Sequence, residues 1–223
     1  MGYDPAVWGP TFWDTLGYCS RSLSPDDMIV LLRGLSHLLP CLHCRSSYGS
    51  YLLQVTPEAC CKNEEECMKY VWLLHDMTNS KLGKKHLPFS YMKARMDVFD
   101  PYVSPSDILH AMGFMALDVE EEEGYDAYRT VAPLLLKAIL KLDPKLELPS
   151  SCTSLSEEEY TKANVWMHAL ACRNAYRSHK GVKRMTRDEF RTHYEAARSP
   201  LLEAPKKRSS SRGGSRVSRK SRR

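Results

Sequence analysis

The chain has 223 residues, which suits one domain with an extension or two small domains. Its 43% hydrophobic and 26% charged residues exclude a fibrous or wholly disordered chain, and a core of this size does not need disulfides to exist. The formal charge of +5 is uneven: nine of the 32 basic side chains lie in Lys206–Arg223 with no acidic ones, leaving 23 basic against 27 acidic elsewhere, a net of −4.

The body reads as helices throughout. A first helix is expected from near Trp8–Pro10, with Trp8, Phe12, Leu16, Cys19 and Leu23 at helical spacing and Pro10 in its first turn. Ser24 is a good N-cap for a second, with Pro25 following and Met28, Leu31, Leu32, Leu35 and Leu39 on one face. A third opens at Cys41 and runs to Gln54. A turn-prone stretch around Thr56-Pro57 and Lys62-Asn63 then leads to a fourth, about Glu64 to Lys81, stopped by Gly83. A short helix at Phe89–Val98 closes this unit. Beyond Pro101 the candidates are Pro105–Leu117, Ala127–Leu142, Glu157–His179 and Arg187–Arg198, signalled by Ser104 before Pro105 and by the boxes Ser156…Glu159 and Thr186…Glu189. Acidic Glu120–Glu123 reads as a solvated linker. Strand signals and internal repeats are absent. The fold class is therefore all-α, with four helices and a short fifth over residues 1–100, a second helical region over 101–203 and a disordered basic tail over 204–223.

No apolar run approaches the roughly 20 residues of a membrane span. Met1–Trp8 lacks the basic and apolar regions of a secretory signal. The expected location is the cytoplasm, with the nucleus or a virus particle as the other settings. Cysteine there is more often catalytic or metal-binding than structural. The chain has eight, at positions 19, 41, 44, 60, 61, 67, 152 and 172.

Cys41-Leu42-His43-Cys44 follows Pro40 at an expected helix start. Unpaired backbone N–H groups and the positive helix end stabilise a thiolate there, and thiolate is the reactive form. A two-residue gap on a first turn also brings two sulfurs within bonding reach. Alone, a CxxC is a weak signal. A zinc-bound structural or interaction module is the competing class, but its second half would be Cys60-Cys61 and Cys67, a poor tetrahedral set. A thioredoxin-like reading needs βαβ units, which are missing.

Context decides between these. Trp8-Gly9-Pro10-Thr11-Phe12-Trp13-Asp14-Thr15-Leu16 resembles the opening helix of the Erv/ALR family of flavin-dependent sulfhydryl oxidases. Leu39-Pro40-Cys41-Leu42-His43-Cys44-Arg45 is similar to its catalytic segment, and His75-Asp76-Met77-Thr78-Asn79-Ser80-Lys81-Leu82-Gly83-Lys84 to its flavin-binding element. Order and spacing also match. The resemblance implies FAD as cofactor, with contacts from Trp8, Gly9, Trp13, Tyr48, His75, Asn79, Leu82 and Lys84 and no metal. It implies that a thiolate of a protein substrate attacks Cys41, the outer sulfur. Cys44 then passes the electron pair to FAD, and oxygen leaves as hydrogen peroxide. It also implies a homodimer through the first two helices. His75 and Asn79, four apart, share a helix face and could address one ligand. Three features depart from the family: Gly17 stands where it commonly has His, Asp76 where it has Asn, and residues 85–103 lack the downstream cysteine pair of cellular members. A long helical extension without a second CxxC looks more like the versions carried by large DNA viruses.

Cys60, Cys61 and Cys67 are expected to form a structural disulfide or, as the alternative, a shuttle feeding Cys41. Cys19, Cys152 and Cys172 read as buried packing thiols. The tail suits weak, sequence-independent nucleic-acid binding, with a solubilising or nuclear-import role equally compatible.

Overall fold

The computed structural model describes residues 2–98, 103–119, 122–153 and 162–198, and among them every regular element is a helix. In chain order these are α1 (Pro5–Ser22), α2 (Pro25–Leu38), α3 (Leu42–Gln54), α4 (Pro57–Cys60), α5 (Glu64–Lys81) and α6 (Phe89–Val98), then α7 (Pro105–Asp118), α8 (Glu122–Leu142), α9 (Ser150–Thr153), α10 (Lys162–His179) and α11 (Arg187–Glu195). The all-α expectation holds. The one extended pairing among the described residues is a bridge between Tyr3 and Arg198.

Local chemistry accounts for most boundaries. The Ser24 hydroxyl accepts from the Asp27 amide at 3.2 Å and starts α2. Asn63 does the same for α5 through Glu66, and three glutamates in the first turn meet the positive helix end. Complete capping boxes start α7 at Ser104 and α11 at Thr186.

Four expectations need correction. The Asp4 carboxylate, accepting from Ala6 N at 2.9 Å, starts α1 a turn earlier than expected. Pro5 takes the first helical position, so Pro10 lies inside the helix and removes a main-chain donor there. The stretch read as a turn contains α4, with Pro57 pre-set for a first helical position. Glu122 and Glu123 belong to the first turn of α8 rather than a linker, where the dipole favours them. Finally, α11 ends at Glu195, three residues short of Arg198. Glu120 and Glu121, the Ser156…Glu159 box and the tail over 204–223 lie outside the described residues.

Packing does not stop at residue 100. Helix α7 lies against α1, α8 against α2, and α10 against α7. One cluster of buried hydrophobic side chains runs from Tyr3 to Ala197. The α2–α8 contact is close because position 34 is glycine: a Cβ there would collide with the Val131 side chain. The two helices on which the resemblance placed a dimer interface thus each commit a face to the same chain's second half.

Candidate active site

Cys41 caps α3 from an extended backbone, φ −164° and ψ 116°, and its sulfur accepts the Cys44 amide at 3.2 Å. The Cα atoms of Cys41 and Cys44 are 5.1 Å apart and the sulfurs are joined in a disulfide. That separation allows a bridge without backbone movement. On reduction, the free N–H groups and positive end of α3 favour a thiolate at the same place. A pair so placed suits thiol–disulfide exchange.

Three neighbours hold α3 in position. Arg45, directly after the pair, donates from Nε to the Leu39 carbonyl at 2.7 Å and from its terminal nitrogen to the Asp118 carbonyl at 3.1 Å and the Asp118 carboxylate. The redox turn is thereby bolted to the last residue of α7. Tyr48 is buried and its hydroxyl donates to Leu32 O at 3.1 Å, tying α3 to α2; burial pushes its pKa well above the usual phenol value. Tyr51 donates to Met77 O at 3.4 Å and Lys81 Nζ to Ser47 Oγ, setting α3 against the second half of α5.

That part of α5 carries the residues expected to meet a flat ligand. The Trp13 indole of α1 stacks on the His75 imidazole with centroids 4.6 Å apart and planes 21° off parallel. Asn79, one turn further, is 9% exposed, and its side-chain amide has no hydrogen bond to other described residues. Its carbonyl accepts from the Leu82 and Lys84 amides around Gly83, whose φ of +64° closes the helix. Leu82 and Lys84 are exposed just beyond that turn. Gly9 is buried, yet a Cβ there would meet no atom within 4 Å, so a gap adjoins α1 at that point. An aromatic pair, an unengaged amide, a gap over glycine and an exposed lysine suit a flat aromatic group with a charged tail.

Two of the expected contact residues also serve the protein core. Trp8 is buried, edge-on to Phe12 at 5.4 Å, and its indole N–H donates to Tyr3 O at 3.1 Å. Trp8 and Tyr48 are thus both engaged within the protein core. Asp76, at the family's Asn position, is paired with His86 at 2.8 Å.

Accessibility at the sulfurs is uneven. Cys41 is 2% exposed, whereas Cys44 is partly open. Of the other cysteines, Cys19 is buried and desolvation pushes its pKa up to about 12, which disfavours the reactive thiolate. Cys61 and Cys67 are free thiols hydrogen-bonded to each other, with Cys60 partly exposed beside them; no disulfide joins the three. Cys152 and Cys172 are buried as expected, but they also contact each other, and Cys172 Sγ lies 3.7 Å from His168 Nε2. No group of three His, Cys, Asp or Glu among the described residues is arranged to hold a metal. Arg45–Asp118 and the coverage of Cys41 escaped the sequence reading. The only available signal was an arginine beside the CxxC, which names no partner.

A cysteine pair joined at a helix start, in an all-helical fold that also stacks Trp13 on His75, is an arrangement that suits thiol–disulfide chemistry. Residues 13–97 match the model of the Erv1 / Alr family. The chain is also similar to protein 096R of Invertebrate iridescent virus 3, named as a FAD-linked sulfhydryl oxidase: the two are 24% identical over 114 residues, 48% of this chain and 73% of the viral protein. No solved structure matches the chain.

Proposed function

We propose that this chain is an FAD-dependent thiol oxidase that forms disulfides in protein substrates, with oxygen as final acceptor and hydrogen peroxide as co-product. The observation that carries the reading is the Cys41–Cys44 disulfide at the start of α3, inside the Erv1/Alr segment. A substrate thiolate attacks Cys41 Sγ; the Cys41–Cys44 bond breaks, a mixed disulfide forms and Cys44 leaves as thiolate. The first-turn amides of α3 stabilise that leaving group. A second substrate thiolate then attacks the mixed disulfide, releasing oxidised substrate and leaving the pair as dithiol. The chemistry FAD supplies when bound is acceptance of this electron pair and its delivery to oxygen.

Trp13 and His75 would flank the ring system, Asn79 would address its polar edge and Lys84 the pyrophosphate, with Leu82 and Gly9 lining the approach. Trp8 and Tyr48 would act from behind, as the packed wall that keeps α1 and α3 in place. The purified protein should be yellow with flavin absorbance and should consume oxygen when given dithiothreitol. Cys44→Ser should keep the colour and lose the consumption. A colourless protein that uses no oxygen after loading with FAD would sink the proposal.

A further inference from the structure

In this reading Cys41 receives the incoming thiol, yet it is 2% exposed while Leu42 and His43 beside it are open to solvent. Part of the cover is the segment Gly2–Tyr3. A Cβ on Gly2 would stand 3.0 Å from Cys41 Cα and 3.2 Å from Pro40 O, so the glycine backbone lies directly on the redox turn. The Tyr3 amide donates to Pro40 O at 2.8 Å. On its other side this segment is held by residues from the far end of the chain. Asp4 N donates to Ala197 O at 3.0 Å, Tyr3 pairs with Arg198, and the Arg198 guanidinium sits 5.5 Å from the centre of the Tyr3 ring. That ring is fully buried, edge-on to Phe114 at 5.2 Å.

Two halves of this strap behave differently. Tyr3 is anchored by its ring, whereas Gly2 contributes no side chain and touches Cys41 through backbone alone. Rotating the Gly2–Tyr3 peptide would uncover Cys41 and free the Pro40 carbonyl while the ring stays in the core. The surface then revealed is a sulfur next to an unpaired main-chain acceptor. An extended polypeptide can satisfy both at once, donating an amide to Pro40 O as Tyr3 does and placing a cysteine on Cys41. A folded protein with its cysteine in a helix or a packed strand cannot, because its own amides are already used.

We propose that Gly2–Tyr3 is a displaceable strap holding the place of an extended thiol-bearing segment, which makes unfolded, reduced polypeptide the substrate class. The substrate half of this rests on the thiol-oxidase reading; the coverage of Cys41 does not. The test is site-resolved alkylation of the full-length, FAD-loaded protein after reduction, with iodoacetamide as probe and peptide mapping to count adducts at Cys41 and Cys44 separately. Wild-type Cys41 should label about tenfold more slowly than Cys44, because it reacts only from an opened state. Gly2→Ala puts a methyl group against the redox turn. It should raise the Cys41 rate about fivefold or more, with the Cys44 rate and melting temperature unchanged. Arg198→Ala, which loosens the anchor from the other side, should act in the same direction. In turnover, Gly2→Ala should raise kcat/KM for a reduced, unfolded polypeptide more than for dithiothreitol. Equal labelling of Cys41 and Cys44 in the wild type, or no change in either variant, overturns the strap. Turnover gains equal for both thiols overturn the substrate class. Labelling that behaves as described in a protein that oxidises no thiol leaves the strap standing and overturns the oxidase reading instead.

Discussion

Arg45→Ala is the substitution whose consequences the structure defines best. The Arg45 and Asp118 side chains are only 19% and 10% exposed, and the guanidinium serves three acceptors: the Leu39 carbonyl, the Asp118 carbonyl and the Asp118 carboxylate. Truncation takes the guanidinium from a poorly solvated carboxylate and one donor from each of two carbonyls, of which Leu39 O keeps the Cys41 amide at 2.7 Å. Breaking a buried pair from one side costs about 3–5 kcal/mol, which for a chain of this size is a drop of roughly 6–20 °C in melting temperature. Salt should change this little, since buried pairs are weakly screened. The double replacement Arg45→Met with Asp118→Leu removes both charges and should recover most of the stability. It should not recover redox behaviour, because no side chain then ties Leu39 O, which the Cys41 amide also engages, to the end of α7. The assays are calorimetry and the reduction potential of the Cys41–Cys44 pair against a glutathione series. A single mutant within about 1 kcal/mol of wild type would refute the burial argument. A double mutant with unchanged potential would refute the positioning argument.

Asn79→Ala should weaken FAD retention roughly five- to tenfold, the effect of one hydrogen bond, while the flavin-free protein melts as before, since the amide serves no other described residue; an unchanged flavin content after dialysis would remove Asn79 from the site. His110 packs on Tyr194 and Phe114 near Arg173 and His193, and burial first, then those charges, lowers its pKa from 6.5 to about 4. Between those values the unfolded chain binds a proton that the folded one does not, so stability is complete above pH 6.5 and falls on acidification to pH 4. The loss should be about 1–2 kcal/mol after allowance for partial exposure. His110→Phe should flatten the pH dependence of the melting temperature, and an equally steep fall in the mutant counts against this assignment. Removing Lys206–Arg223 should leave thiol oxidation intact and abolish weak binding to DNA. In the full chain, the log–log slope of that binding against salt should be no steeper than about −8. No binding at low salt would leave the tail to another role.

Much of the site was legible from residues that act on their near neighbours. Ser24, Asn63 and Thr186 cap the helices that follow them because a side-chain oxygen reaches an amide three residues on. Cys41 and Cys44 meet because a helical first turn brings such positions together, and His75 and Asn79 share a face for the same reason. Where several local signals competed, as at Asp4 against Pro10 or at Thr56-Pro57, the boundary was missed by about a turn.

Composition, periodicity and capping chemistry were enough to determine an all-helical chain with a cysteine pair at a helix start, and the three ordered motifs carried its likeness to the Erv1/Alr family. Which surfaces meet was decided only by tertiary packing. Arg45 finds Asp118 across 73 positions, and Tyr3 finds Arg198 near the other end of the described chain. Docking of α7 and α8 onto α1 and α2 makes the second half part of the same core. Trp8 and Tyr48 carry side chains equally suited to a ligand or to packing, and only the fold gave them Tyr3 O and Leu32 O as acceptors. Burial of Cys41 has the same origin. A thiol at a helix start is exposed by every local rule, and only the fold could bring the Gly2 backbone to rest against it.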